Sequence, residues 1–189
     1  EIQTKKVIFT LRPEQNDAIK EIKKTDFSIC VAPPGFGKTL LGAKIFEQRT
    51  CTTMIVVNKN MLLNQWIERF VDYFGYEKKD IGYLGKGHNK INGSIDVATM
   101  QSLKNAPEII NNYSFVIVDE CHHIPAITFE QIIKNFKGKY ILGLSATPNR
   151  KDDLQPILYQ QLGEISYEYK KKRTHTNKLQ IIRTDFESS

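Results

Sequence analysis

A chain of 189 residues, 40% hydrophobic and 25% charged, has the size and composition of one globular domain with a real core. No apolar run approaches the ~20 residues needed to cross a bilayer, so the composition argues against a helical membrane protein. The net charge of +6 draws phosphate polymers, although many lysine-rich proteins bind none.

Cys30, Cys51 and Cys121 cannot all pair and show no CxxC spacing. Cys30 and Cys121 fall in or beside apolar strands, where a reduced buried thiol is expected, so an intracellular home (cytoplasm, nucleus or a viral replication site) is predicted. The sequence opens on Glu1 with no charged-then-apolar leader, and its start is expected to be a trimmed one.

In chain order, a helix is expected over residues 13–24, with Pro13 in its first turn and Ala18, Ile19 and Ile22 as its inner stripe. A strand over 28–32 and a helix over 38–49 follow, then a strand over 54–57 and a helix over 60–73. Trp66 and Phe70 lie four apart on that last helix, a spacing that suits core packing better than base stacking. Short strands around 81–84 and 95–99 are expected next, with Asn92-Gly93 as a tight-turn signal between them. A strand over 115–118, a helix over 126–136 and a strand over 140–144 complete the pattern. Most strands are near-continuously apolar, as in a parallel sheet covered on both faces. The alternation predicts an α/β fold: an open, mostly parallel sheet with helices on both faces. After about residue 163 the pattern loosens into the charge run Lys170–Arg173 and a strand-like Leu179–Ile182. The expected domain is therefore 1–169, with 170–189 as an exit strand and linker.

Two motifs carry chemistry. Ala32-Pro33-Pro34-Gly35-Phe36-Gly37-Lys38-Thr39 follows one strand and opens a helix, the setting of a phosphate loop. Gly35 and Gly37 let backbone N–H groups turn around phosphates, Lys38 reaches the β and γ phosphates, and the Thr39 hydroxyl can hold magnesium. The helix that starts there adds its positive end. Asp119-Glu120 closes a later apolar strand, where α/β sheets place ligands. Asp119 would hold hydrated magnesium, and Glu120 would orient and deprotonate the attacking water. An acidic pair capping a loop is the plain alternative, which the upstream phosphate loop outweighs. ATP and Mg2+ are the expected cofactors, and Lys38, Asp119 and Glu120 the expected catalytic residues. Cys121-His122-His123 does not make a zinc site, because adjacent residues do not converge on one metal and partners at ligand spacing are missing. His88 and His175 read as solvated side chains.

Six ordered segments together resemble the first RecA-like domain of superfamily 2 helicases and translocases of the DExH type. They are Leu11-Arg12-Pro13-Glu14-Gln15, the phosphate loop, Val57-Asn58-Lys59-Asn60 continuing to Gln65-Trp66, Thr99-Met100-Gln101-Ser102-Leu103, Asp119-Glu120-Cys121-His122, and Ser145-Ala146-Thr147. The branch is closest in flavour to XPB-like and large-DNA-virus or phage helicases, although restriction-enzyme motors share much of it.

This resemblance implies that Gln15, with Leu11 and Arg12 nearby, recognises adenine. It places Pro34, Gly35, Phe36, Gly37, Lys38, Thr39 and Leu40 around the nucleotide. It also implies that His122, Ser145 and Thr147 couple the nucleotide to nucleic acid. Asn58, Lys59, Thr99 and Gln101 would touch the backbone of the tracked strand, DNA rather than RNA, in a sequence-independent way. Lys59 and Asn60 equally suit an ordinary helix start.

Three departures stand out. Ala32 replaces the first glycine of the loop. His122 at the fourth position of the acidic box argues against the DEAD-box RNA class. Arg150-Lys151-Asp152 stands where XPB relatives carry Arg-Glu-Asp, which puts any strand-opening role for that motif in doubt. The family's second RecA-like domain, which supplies arginines to the γ-phosphate, is not encoded after residue 165. It is expected in cis in a longer motor of which this is a piece. The same residues leave room for a duplex-bound sensor or remodeller, for a restriction-enzyme motor, or for a phosphate-loop ATPase that ignores nucleic acid.

Overall fold

Strands buried along their whole length have nowhere to sit but the middle of a layered fold. Thr53–Val57 (β2), Ile95–Thr99 (β5) and Phe115–Val118 (β6) are buried along their whole length. In the computed structural model, which describes residues 2, 4, 5, 9–123, 125–134, 136–146 and 155–170, they form the heart of one sheet. The other strands are Phe27–Val31 (β1), Gly82–Gly85 (β3), His88–Lys90 (β4), Tyr140–Ser145 (β7) and Ile165–Glu168 (β8). Their spatial order is β4-β3-β5-β2-β6-β7-β1-β8, and every neighbouring pair is parallel except β3 with β4.

Alternate residues of each strand face opposite sides. Cys30, Ile55, Val57, Ile117 and Leu142 pack with the helices Pro13–Ile22 (α1), Lys38–Arg49 (α2) and Asn60–Phe74 (α3). Ile29, Val31, Met54, Val56 and Val116 pack with Met100–Asn105 (α4), Ala126–Ile133 (α5) and Gln155–Leu162 (α6). The expected open α/β sheet with helices on both faces is present.

The helix α3 shows how the sequence writes one of these layers. Leu63, Trp66, Ile67, Phe70 and Phe74 recur on one face and are buried, and each such side chain contributes roughly 1.5–3 kcal/mol. Gly75, at φ +64°, ends the helix and donates its N–H to the Phe70 carbonyl.

Asn92-Gly93 does not join two antiparallel strands. The hairpin is β3–β4, and its two-residue turn is Lys86-Gly87, both at positive φ, as a turn of the primed type requires. β3 instead runs parallel to β5, Gly82 opposite Asp96. Asn92 and Gly93 start β5 by donating their N–H groups to the Asp96 carboxylate at 2.7 and 2.8 Å. The Tyr113 hydroxyl donates to the same buried carboxylate at 2.7 Å. Gly82 is obligatory here, since a Cβ would lie 1.8 Å from Asp96 Oδ1. Asp96→Ala strips one acceptor from three donors and is expected to cost about 3 kcal/mol, roughly 10 °C in Tm by thermal unfolding.

β8 is a further difference. The sequence loosens after residue 163, yet Ile165–Glu168 pairs in parallel with β1 at the sheet edge. Its residues are half-buried or exposed, so the apolar signal that marks the central strands is missing. The helices α4 and α6 were not expected either, and α1 and α5 end short of the expected 24 and 136. Residues 171–189, including the strand-like Leu179–Ile182, lie outside the described residues, as does Thr147.

Candidate nucleotide site

Parallel strands deliver their following loops to one edge of the sheet. The order β5-β2-β6-β7-β1 therefore lines up Thr99, Asn58, Asp119, Ser145 and Ala32 along that edge. Registers Val57 opposite Thr99 and Val31 opposite Ser145 keep these ends level.

The phosphate loop begins with Ala32, whose N–H donates to the Ser145 carbonyl at 2.9 Å. Gly35 and Gly37 take φ of +79° and +87°, the left-handed region that glycine tolerates. Gly37 is doubly constrained: a Cβ there would meet Gln15 Nε2 at 2.7 Å. α2 starts at Lys38, so the free N–H groups of its first turn face the loop. The Lys38 side chain is buried; its ammonium donates to the Ala32 carbonyl at 3.0 Å and lies 3.7 Å from Glu120 Oε1. Pro34, Gly35, Gly37, Lys38, Thr39 and Leu40 form one wall of a cleft of about 370 Å³, and Asp119 and Glu120 form another. Leu62, Gln65 and Arg69 of α3 close its third side, none of which the sequence reading placed there.

Asp119 is buried at the end of β6, its N–H donating to the Val56 carbonyl at 2.9 Å. The Trp66 indole N–H donates to Oδ2 at 2.8 Å, and the Glu120 N–H donates to Oδ1 at 2.9 Å. Burial pushes the Asp119 carboxyl above the usual carboxylate range, and the Trp66 hydrogen bond pulls the other way. Trp66 is thus a core residue, as its spacing suggested, and also the anchor of an acidic side chain 53 positions away. Periodicity carries no trace of that second role. Glu120 sits at φ +48°, a strained backbone for a residue with a side chain, of the kind that persists where a site over-determines it. Its carboxylate lies between Lys38 and His122, with Oε2 at 3.3 Å from His122 Nδ1. His122 Nδ1 in turn lies 3.0 Å from Ser145 Oγ. A continuous polar path therefore runs from the phosphate loop to the end of β7.

On the other side of the loop, the Phe36 carbonyl accepts from Gln15 Nε2 at 2.7 Å and Arg12 Nη2 at 2.6 Å. Gln15 Oε1 accepts the Arg12 N–H at 2.9 Å. Gln15 is buried with both ends of its amide engaged, and Leu11 packs half-buried against the core. Arg12 instead lines a second cleft of about 360 Å³ with Glu14, Phe36 and Tyr169.

The residues expected to meet nucleic acid divide. Lys59 is exposed at the start of α3 and Gln101 is exposed on α4. Asn58 is half-buried, and its Oδ1 makes no hydrogen bond. Thr99 is buried, and its hydroxyl caps α4 by accepting from the Ser102 N–H at 3.3 Å. Among the described residues no cluster of three or more His, Cys, Asp or Glu is arranged to hold a metal ion, and no helix is long and apolar enough to cross a membrane.

The family model described as "Type III restriction enzyme, res subunit" matches residues 8–150. The chain is similar to the "DNA 3'-5' translocase XPB2" of Sulfurisphaera tokodaii, 35% identical over 160 residues that cover 83% of this chain and 35% of that protein. It is also similar to the "Probable helicase D10" of Escherichia phage T5, at 33% identity over 78% of this chain and 32% of that protein. It thus spans about a third of the length of these relatives. Among solved structures, the UvsW helicase of bacteriophage T4 shares the fold with a TM-score of 0.72 at 21% identity, over 88% of this chain and 64% of that one. The Sulfolobus solfataricus SWI2/SNF2 ATPase core in complex with dsDNA does so with a TM-score of 0.68 at 21% identity, over 84% of this chain and 37% of that one. The chain belongs to the restriction-enzyme res-subunit family, and its matched residues correspond to the first RecA-like domain of superfamily 2 helicases and translocases.

Proposed function

We propose that this domain binds ATP with Mg2+ and hydrolyses it as one half of a motor that tracks nucleic acid, DNA in preference to RNA. The observation that carries this reading is the meeting of Lys38, Thr39, Asp119 and Glu120 around one cleft at the carboxyl edge of the sheet. The cradle fits a triphosphate. Gly35 has open space where a Cβ would lie, the first turn of α2 presents free N–H groups, and Lys38 supplies the cation.

Thr39 and Asp119 are the residues that would hold Mg2+, Asp119 partly through water, and the bound ion would neutralise charge on the phosphates. Lys38 turns from the Ala32 carbonyl to the β and γ phosphates. Glu120 orients the attacking water and takes its proton. The path Glu120–His122–Ser145 gives a route by which the state of the γ-phosphate reaches the end of β7, while Asn58, Lys59 and Gln101, the residues that would meet nucleic acid, follow β2 and β5 on the other side of β6. Contacts there would be to the phosphate backbone, salt-sensitive and indifferent to sequence.

The relatives are about three times the length of the matched region, which supports a second RecA-like domain in cis whose arginines complete the site. In this reading residues 1–169 are the ATP-binding unit and 170–189 lead towards that second domain. An intracellular location follows from the same reading. The DNA preference is supported by the relative named as a DNA translocase. The match to the restriction-enzyme model supports a second reading, a restriction motor with its nuclease elsewhere.

The test is steady-state ATP hydrolysis by the motor with no polymer, single-stranded DNA, duplex DNA and RNA. Strong stimulation by DNA is expected, and stimulation by no polymer would sink the motor reading. Trp66→Phe keeps an aromatic ring in the core but removes the N–H that orients Asp119. We expect the Mg2+ needed for half-maximal ATP binding to rise about 10-fold, with Tm lowered by a few degrees for the smaller buried ring. An unchanged Mg2+ requirement would show that Trp66 acts as packing alone.

A further inference from the structure

We propose that Tyr169 is a wall of the nucleotide's base pocket, so that the residue leaving β8 grips the nucleobase. The inference rests on the ATP reading above and deepens it.

The second cleft has the shape and chemistry of a base site. Arg12 and Glu14 at the α1 entrance, buried Phe36 and half-buried Tyr169 all line it. The Tyr169 and Phe36 ring centroids are 5.2 Å apart, with the planes at 53°. The Arg12 guanidinium carbon lies 5.6 Å from the Phe36 ring. An aromatic and a guanidinium plane flanking a cleft suit a flat π surface, which every nucleobase offers. The cleft shares Pro34 and Gly35 with the phosphate cleft, so one ligand can occupy both.

Gln15 uses one bond at each end of its amide and keeps a second N–H and a second lone pair, so an adenine role for it and a Tyr169 wall are compatible. Both ends of its amide are engaged with the Phe36 carbonyl and the Arg12 N–H, which makes it the brace between α1 and the loop. Tyr169 is held rigidly enough to serve. Its N–H donates to the Val31 carbonyl at 2.9 Å, extending the β1–β8 ladder by one rung. Val31 is also the last residue of the strand that launches the phosphate loop. The base wall and the phosphate cradle therefore hang from the same strand, and the distance between them is set by one rigid element.

The test compares Mg–ATP with Mg–tripolyphosphate, which has the phosphates but no base, by calorimetry on the chain and its Tyr169→Ala and Tyr169→Phe variants. We expect Tyr169→Ala to weaken ATP about 10-fold, the loss of one stacking partner, while tripolyphosphate binding is unchanged. Tyr169→Phe should bind both as the parent does, because the ring and not the hydroxyl makes the wall. ATP affinity unchanged in Tyr169→Ala would overturn the proposal. Equal loss of ATP and tripolyphosphate would also overturn it, because it would mean that Tyr169 merely supports the loop. Failure of the parent chain to bind either ligand would overturn the ATP reading itself and the proposal with it.

Discussion

Lys38→Ala is expected to lower ATP turnover by the complete motor at least about 10²-fold while leaving the domain folded. The ammonium is held in the loop it serves, bonded to the Ala32 carbonyl and 3.7 Å from Glu120 Oε1, so its removal strips the cleft of its buried cation. A phosphoryl group in transfer spreads negative charge over its oxygens, and a preplaced cation in a dry site stabilises that charge far more than water does. The fold should survive. Lys38 is the first residue of α2, where alanine is the best helix former, and the core stripe of Leu41, Ile45 and Phe46 is untouched. Phosphate release measured beside thermal unfolding separates the two effects. Normal turnover in a folded variant would remove the phosphate-loop assignment of residues 32–39.

Glu120→Gln should act differently. Turnover is expected to fall about 10²–10⁴-fold while ATP binding is kept or strengthened, giving a motor that loads ATP and stalls. Glutamine matches glutamate in shape and asks the backbone for the same φ of +48°, so the strain at this position is neither relieved nor increased. It cannot accept a proton from water, and it ends the ion pair with Lys38. It also replaces the carboxylate oxygen beside His122 Nδ1, so the path to Ser145 is altered along with the chemistry. Single-turnover hydrolysis alongside equilibrium ATP binding makes the distinction. A variant that hydrolyses at the normal rate would move the base to another residue, whereas loss of binding would recast Glu120 as part of the cradle.

Much of this molecule could be read in its letters. The stripe Leu63, Trp66, Ile67, Phe70 announces α3 because a helix has one period and a core-facing helix must be apolar at that period. Pro13, Gly37 and Gly75 mark the start or end of helices through φ angles set by their own covalent structure. The placing of residues 32–39 and of Asp119-Glu120 at strand ends was legible because each motif is contiguous and each follows an apolar run.

Other features were not legible. Asn92-Gly93 has the composition of a hairpin turn, but the Asp96 carboxylate takes its N–H groups and β3 pairs with β5 in parallel. β8 is an edge strand, half wet, and lacks the unbroken apolar run that betrays a central one. Thr99 looked like a side chain offered to a ligand, and it is turned inward as the cap of α4.

By itself, then, the sequence determined the chemistry at each strand end: a cradle of glycines before a lysine, a pair of carboxylates, a small hydroxyl after β7. These are properties of residues within a few positions of one another, governed by local sterics and charge. Only the tertiary structure decided which of those ends are neighbours. It brought Trp66 to Asp119, stationed His122 between Glu120 and Ser145, tied Gln15 to the Phe36 carbonyl, and stood Tyr169 beside Phe36. Apart from Glu120 and His122, which are neighbours in the chain, such pairings span from 21 to over 100 positions and follow from strand order and register, which are set by how two apolar faces are covered at once rather than by any short run of residues.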